Sequence, residues 1–150
     1  MIHVTQVSKY PLRKEIEERM YEVFLDSIGM VQNRQQVSKL INDLLSSTEK
    51  TMLAKRLSIA LLLIKQYDQR SISGILHVSL GTVNRVRIML DSGNGGYLMV
   101  ISVLMKQEKY ASFINKIDDV LAEIFTPYKS NLRDWRRGRW EEKMKSQKPF

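Results

Sequence analysis

The chain has 150 residues, of which 43% are hydrophobic and 27% are charged, a composition that is ordinary for a soluble globular protein. It contains no cysteine, which excludes a disulfide-stapled secreted scaffold and a cysteine-based zinc site, and His3 and His77 lack metal-ligand spacing. Its net charge of +8 favours a polyanionic partner, with nucleic acid ahead of an anionic membrane surface.

Helical periodicity dominates the chain from its beginning, which predicts an all-α fold. Pro11 precedes a first apolar stripe from Ile16 to Val31, and a second stripe runs from Val37 to Leu45. The segment Ser46–Glu49 is a capping-box pattern, and it opens a long third helix from Thr48 to about Gln66. The N-terminus has no apolar signal core, and no apolar run approaches the roughly 18 residues of a membrane span. We therefore expect a cytoplasmic protein without a membrane role.

Two short helices are predicted next, and together they form a helix-turn-helix over Asp68–Leu90. Asp68 and Ser79 are residue types that cap the first turn of a helix, one for each helix. Val78 is the apolar plug of the turn between them. His77 occupies a turn position where glycine is usual, and we expect it to adopt a left-handed conformation. Ser73 and Gly74, in the first of these helices, are small, which predicts a close crossing of the two helices.

The outer face of this hairpin carries the residue types that read a DNA duplex. Asparagine pairs bidentately with adenine and arginine with guanine, while small residues let the backbone approach the major groove closely. Polar side chains at the start of the first helix suit phosphate contacts. The predicted DNA-binding residues are Gln69, Arg70, Ser71, Ser79, Gly81, Thr82, Asn84, Arg85 and Arg87.

The remaining body is also predicted to be helical. The glycine-rich segment Ser92–Gly96 stops the second short helix. By its pattern, Tyr97–Met105 fits a strand or a buried helix, and helix is favoured because no second strand exists to pair with it. Helical spacing returns over Glu108–Phe125. The acidic pair Asp118–Asp119 is most simply a solvated helix face, and no residue is spaced to act with it in catalysis, so we expect no enzymatic activity.

Two regions are expected: residues 1–126 as a helical DNA-binding and dimerisation domain, and residues 127–150 as a basic tail. Positions 129–150 hold eight lysines and arginines against three acidic residues. Alternating arginine and tryptophan can follow a nucleic-acid backbone. Otherwise the segment is a disordered solubilising tail, or an anchor whose tryptophans dock on a partner protein, and the sequence leaves these readings open. The residues concerned are Trp135, Arg136, Arg137, Arg139 and Trp140.

The chain resembles the Trp repressor superfamily over about residues 36–104. The resemblance is carried by Leu44–Glu49, Leu53, Arg56, Ile59, Gln69–Arg70 and Gly81–Arg85, and the continuation Gly95–Val100 is similar to the Trp-repressor-like (YerC/YecD-type) branch. The resemblance implies an intertwined helical homodimer whose reading helices enter successive major grooves, with Gln69, Arg70, Gly81 and Asn84 facing DNA.

The same resemblance implies an effector pocket. Arg56 and Arg85 match the two arginines that sandwich the corepressor indole in tryptophan-binding members, and Ser46 matches a loop position beside it. However, Val86 stands where those members have glycine, and Met89 stands where a serine meets the ligand. A β-branched side chain crowds an indole, and a thioether donates no hydrogen bond. We therefore expect no cofactor or metal, and we do not expect free tryptophan to be the effector.

The leading hypothesis is a sequence-specific DNA-binding protein that acts on double-stranded DNA as a homodimeric transcriptional regulator, most simply a repressor. One alternative is the DNA-recognition subunit of a larger recombination or transposition machine, to which the tail would recruit a protein partner. The other alternative is a helical protein-interaction module without a DNA role.

Overall fold

The computed structural model describes residues 9–125, and these residues form seven α-helices and no strand. The helices are α1 (Lys14–Gly29), α2 (Arg34–Leu44), α3 (Ser47–Ile64), α4 (Gln69–Leu76), α5 (Leu80–Ser92), α6 (Gly96–Leu104) and α7 (Glu108–Phe125). The prediction of an all-α fold is therefore confirmed, including the helical assignment of the ambiguous segment Tyr97–Met105. None of the helices within the described range is long and apolar enough to cross a bilayer.

The described residues divide into two compact units between Thr51 and Met52, so that the boundary falls inside α3. We call the part before this boundary the first unit and the part after it the second unit. The first unit holds α1, α2 and the first residues of α3. The second unit holds the remainder of α3 and helices α4 to α7.

Side-chain caps define the starts of α2 and α3. The Asn33 side chain accepts a hydrogen bond of 3.0 Å from the Gln36 amide, and the Gln36 side chain in turn accepts one of 2.9 Å from the Gln32 amide. The predicted capping box before α3 is confirmed, because the Glu49 amide donates to Ser46 Oγ at 3.3 Å and the Ser46 amide donates to Glu49 Oε2 at 2.8 Å. These reciprocal bonds satisfy amides that a helix start otherwise leaves without partners. Burial contributes less to these helices, because neither α1 nor α2 contains a buried residue.

The buried core lies in the second unit. The apolar second half of α3 is central to it, and α4, α5, α6 and α7 each contribute buried side chains. Its most deeply buried large side chains are Ile59, Leu61, Leu62, Ile72, Val83 and Ile101.

The chain changes direction after α5 at two glycines. A Cβ at position 93 would lie 2.3 Å from the Met89 carbonyl oxygen, so only glycine fits there. Gly95 has a φ of 78°, in the left-handed region that glycine enters without penalty. The predicted helix stop at Ser92–Gly96 is therefore confirmed, and it lets α6 begin immediately at Gly96.

Candidate nucleic-acid interface

The start of α4 is fixed by Asp68. Its carboxylate accepts hydrogen bonds from the Ser71 amide, at 2.9 Å, and from the Ser71 hydroxyl. These bonds, first that from the side chain and then that from the backbone, lower the pKa of Asp68 because they stabilise its charged form. The predicted cap is confirmed, and it shows that the Ser71 hydroxyl serves the helix start.

The turn between α4 and α5 is held by a left-handed residue and a side-chain clip. His77 has φ 49° and ψ 57°, as the sequence predicts. This conformation lets the Val78 amide donate back to the Ser73 carbonyl at 3.2 Å, the six-to-one bond of a Schellman motif. The Ser73 hydroxyl donates to the Val78 carbonyl at 2.6 Å, which closes the turn from the other side.

One expectation about this turn is wrong. A Cβ at Gly74 would meet nothing within 4 Å, so the packing of the two helices does not require a small residue at this position. The hydroxyl of Ser73 instead ties α4 to Val78 in the turn. A pattern of small residues does not distinguish these two roles.

Helix α5 begins at a serine cap and turns one face inward. Ser79 Oγ accepts from the Thr82 amide at 3.1 Å and lies 2.9 Å from Thr82 Oγ1. Val83 and Val86 are buried, and α5 packs against α4. Since these two valines fix the rotation of α5, the residues between them point away from the core.

The side chains predicted to read DNA fall into two groups. In the first group the hydroxyl groups form hydrogen bonds that cap the helices; its members are Ser71, Ser79 and Thr82. By contrast, the second group forms no side-chain hydrogen bond or ion pair with any residue of the described range, and its side chains are exposed or, for Gln69, half-buried. This group consists of Gln69, Arg70, Asn84 and Arg85.

Two further positions on the outer face are informative. A Cβ at Gly81 would lie 3.8 Å from Ser79 Oγ, an ordinary contact, so the chain itself does not require glycine there. Arg87 is exposed and pairs loosely with Asp91, with 3.9 Å between Nε and Oδ2. The face therefore presents an approachable backbone at the N-terminal end of α5 and a weakly engaged cation further along.

Sequence reasoning missed Leu80, the first residue of α5. Its side chain is 48% exposed beside Gly81, although leucine at a helix start is normally read as core. An exposed apolar group at this end of a helix can contact the methyl group of thymine. The sequence feature that could have identified Leu80 is its position between the Ser79 cap and Gly81.

The hairpin carries more basic than acidic residues. Lys65, Arg70, Arg85 and Arg87 lie along or beside it, and the carboxylate of Asp68 is committed to the α4 cap. An excess of basic over acidic residues along a helix-turn-helix is typical of a phosphate-binding segment.

A cavity of about 600 Å³ opens beside α5, in the size range of small-molecule sites. It brings together three of the four residues of the predicted effector pocket, Arg56, Arg85 and Met89. Val86, the position where the sequence predicts crowding of an indole, also lines this cavity. Sequence reasoning missed Lys55, which lines the same cavity and whose Nζ donates to the His77 carbonyl at 3.4 Å.

The other predicted site residues are Ser46 and those of the tail. Ser46 belongs to the first unit, where its hydroxyl and its amide both bond the Glu49 side chain. The tail residues from Trp135 to Trp140 lie outside the described range. Residues 9–125 hold no group of three histidine, cysteine or acidic side chains that could bind a metal ion.

Comparison with known proteins identifies the family of this fold. The family model of the Trp repressor protein matches residues 19–116. A candidate Trp repressor from Staphylococcus aureus is 24% identical, with a TM-score of 0.55 over 63% of this chain and 98% of that one. A TrpR-like protein from Eubacterium eligens is 22% identical, with a TM-score of 0.57 over 64% of this chain and 99% of that one. No curated protein sequence matches the chain. Because the family model matches more than half of its residues, the chain belongs to the Trp repressor family of helix-turn-helix DNA-binding regulators.

Proposed function

We propose that this protein is a transcriptional regulator, most simply a repressor, that binds specific sites in double-stranded DNA as a homodimer through α4 and α5. One observation carries the proposal. Arg70, Asn84 and Arg85 project from a rigidly closed hairpin, and the described chain makes no use of their hydrogen-bonding groups. Burying such groups at a partner's surface requires that the partner supply complementary donors and acceptors, which base edges and phosphates do.

Base reading falls to the N-terminal half of α5. Asn84 and Arg85 offer bidentate hydrogen bonds to adenine and guanine, and Leu80 offers an apolar contact to thymine. Gly81 allows the helix to lie close to the base edges, because its missing side chain leaves room that the protein does not fill. These residues set the preferred sequence.

Phosphate contacts fall to the beginning of α4. Arg70 is exposed, and Gln69 lies beside it at the first position of the helix. These groups hold the protein in register on the duplex and contribute equally at every sequence.

Dimerisation is supported by the apolar face of the first unit. This face forms a groove of about 690 Å³ between α1 and α2, and a second copy of the chain would remove it from water. The apolar residues that line the groove are Ile16, Met20, Val23, Phe24, Ile28, Leu40 and Leu44. A dimer would also create a symmetric reading surface, since a two-fold axis repeats α5 on the second half of the site.

Selection of bound sequences from a random duplex pool tests the proposal directly. We expect a two-fold-symmetric consensus, and an affinity for it that falls steeply as salt is raised. Failure to bind any duplex at low salt would contradict the DNA-binding function. Enrichment of sites without symmetry would leave DNA binding in place and contradict the dimer.

Three variants separate the roles of the residues. Asn84→Ala should cost about 1–3 kcal/mol at the selected site and relax the preference at one base pair. Arg70→Ala should weaken binding to all sequences alike and reduce the salt slope by about one. Arg34→Ala, an exposed arginine at the start of α2, is the control and should change neither quantity. If Asn84→Ala and Arg70→Ala bind as the wild type does, the assigned face is wrong.

The helix-turn-helix does not identify the role of the basic tail, residues 127–150. The sequence supports nucleic-acid contact or a protein partner for Trp135–Trp140. Deleting residues 129–150 distinguishes them: a loss of DNA affinity favours nucleic acid, and an unchanged affinity favours a protein partner, as a subunit of a larger DNA-processing machine would need.

A further inference from the structure

The last helix of the described chain extends beyond the part that the family model matches. The match ends at residue 116, whereas α7 continues to Phe125. In this continuation, Ile117, Leu121 and Ala122 are buried, and the helix packs against α4. The first helix of the helix-turn-helix therefore packs against a helix that the family match covers only in part.

A polar contact joins α7 to the beginning of α4. Asp118 shares the inward face of α7 with Ile114 and Leu121 and is half-buried. Its carboxylate Oδ1 accepts a short hydrogen bond from the hydroxyl of Tyr67, which is only 5% exposed. The expectation that Asp118 is a solvated residue is therefore wrong. A buried phenol needs a partner for its hydroxyl, and a carboxylate is a strong acceptor.

Tyr67 lies at the point where the direction of α4 is set. It follows Gln66, whose φ of 63° is in the left-handed region that residues with a Cβ avoid. The Tyr67 amide donates to the Leu62 carbonyl at 3.0 Å, and the next residue is the cap of α4. A strained turn of this kind persists only where its surroundings fix it, and the buried ring and hydroxyl of Tyr67 supply that restraint.

We propose that Asp118 is a positioning residue for the helix-turn-helix: through the Tyr67 hydroxyl it holds the start of α4, and with it the direction of the attached α5. Its consequence for DNA recognition rests on the proposed function, whereas its effect on α4 does not. A core hydrogen bond without this role would stabilise all helices of the second unit to the same degree. The two readings therefore differ in where the structure loosens when the bond is removed.

Amide hydrogen exchange of the full chain without DNA provides the first test. Tyr67→Phe and Asp118→Leu should accelerate exchange in α4 about tenfold, as expected for the loss of a charge-assisted hydrogen bond. The buried middle of α3 should stay within about twofold. Asp118→Asn keeps an acceptor oxygen and should stay close to the wild type. Tyr110→Phe is the matched control, because it removes a half-buried hydroxyl without a hydrogen bond in the described range.

An unchanged exchange rate in α4, or an equal acceleration in α3 and α4, overturns the proposal. The Asn variant guards against a trivial outcome: if Asp118→Leu fails to fold, Asp118→Asn and Tyr67→Phe still decide the question. An effect of Tyr110→Phe on α4 as large as that of Tyr67→Phe also overturns it.

DNA binding provides the second test, at a temperature where circular dichroism shows every variant folded. Tyr67→Phe should weaken binding to the selected duplex about tenfold and binding to a random duplex clearly less. A displaced α4 weakens the phosphate contacts at its start on either duplex, whereas a misdirected α5 loses base contacts on the selected duplex alone. An equal loss on both duplexes contradicts the positioning role. If the wild type binds no duplex, the proposed function fails and the exchange experiment alone decides this inference.

Discussion

The two units of this chain use the same kind of helix pattern in opposite ways. In α1, an apolar stripe that includes Met20, Phe24 and Ile28 is left exposed, and no residue of α1 or α2 is buried. In the second unit, the stripes of α3, α5 and α7 meet, and side chains such as Leu61 and Ile72 are almost completely buried. An amphipathic stripe therefore predicts that a helix will be covered, but it does not say whether its own chain provides the cover.

This difference has an energetic meaning. Burying one large apolar side chain contributes about 1.5–3 kcal/mol, and the second unit has already gained this contribution in folding. The first unit has not, so its stripe remains available for association. The stability of the second unit should be a property of one chain, while that of the first unit should depend on protein concentration.

The largest expected effect tests the second unit. Leu61→Ala leaves a cavity beside a side chain that is 1% exposed, and we expect the free energy of unfolding to fall by about 2–5 kcal/mol. Urea titration at several protein concentrations measures this loss, which should be the same at each. Leu80→Ala, on the exposed face of α5, is the control and should cost less than about 1 kcal/mol. Equal losses would mean that the two positions do not differ in burial.

The next effect tests the first unit. Phe24 is 43% exposed on the wall of the α1–α2 groove, and Phe24→Ala should weaken the dimer by about 2 kcal/mol, roughly a thirtyfold higher dissociation constant. Sedimentation equilibrium measures this constant. Leu25→Ala, on the same helix but outside the groove, should change it less than about threefold. A wild-type chain that stays monomeric at all concentrations would break the comparison, because the stripe would then need another partner.

A smaller effect compares the two units through their helix caps. Asp68→Ala should lower the free energy of unfolding by about 1 kcal/mol at neutral pH. The folded pKa of Asp68 lies below its ordinary value of 3.8, because Ser71 bonds the charged form. The contribution is therefore fully present above pH 3.8 and is lost as the pH falls through the lower folded value.

Urea unfolding at stepwise lower pH measures this contribution, as the difference between the wild type and Asp68→Ala. Asp68→Asn, which caps without titrating, should keep its advantage over Asp68→Ala throughout. A difference between the wild type and Asp68→Ala that does not shrink on acidification would show that the carboxylate is not the capping group. The Ser46–Glu49 box of the first unit offers the same experiment, since hydrogen bonds from Ser46 also lower the pKa of Glu49.

The smallest effect concerns the cavity of the second unit. Millimolar tryptophan should leave the melting temperature of the wild type unchanged, because Met89 provides no strong hydrogen-bonding group at the cavity. Met89→Ser, at an exposed position, introduces the hydroxyl that tryptophan-binding members of the family have there, without disturbing the core. Calorimetric melts of both proteins with and without tryptophan check this. Clear stabilisation of the wild type would contradict the expectation.

The sequence predicts the local features of this molecule well and its distant contacts poorly. The caps at Ser46, Asp68 and Ser79 and the left-handed His77 follow from residues within four positions of one another. Asp118 was misread because its partner, Tyr67, is 51 positions away and gives no local signal. Lys55 was missed for the same reason, since the carbonyl it meets lies 22 positions further along.

The brevity of α4 limits how far the reading hairpin can be separated from its protein. Eight residues are too few for a helix to persist in water by its own propensity. Left-handed residues at positions 66 and 77 bracket it, and both are held by contacts from elsewhere in the second unit. The hairpin is therefore not a portable module: an excised peptide would lose its shape, and a transplant would have to carry α3 and α7 with it.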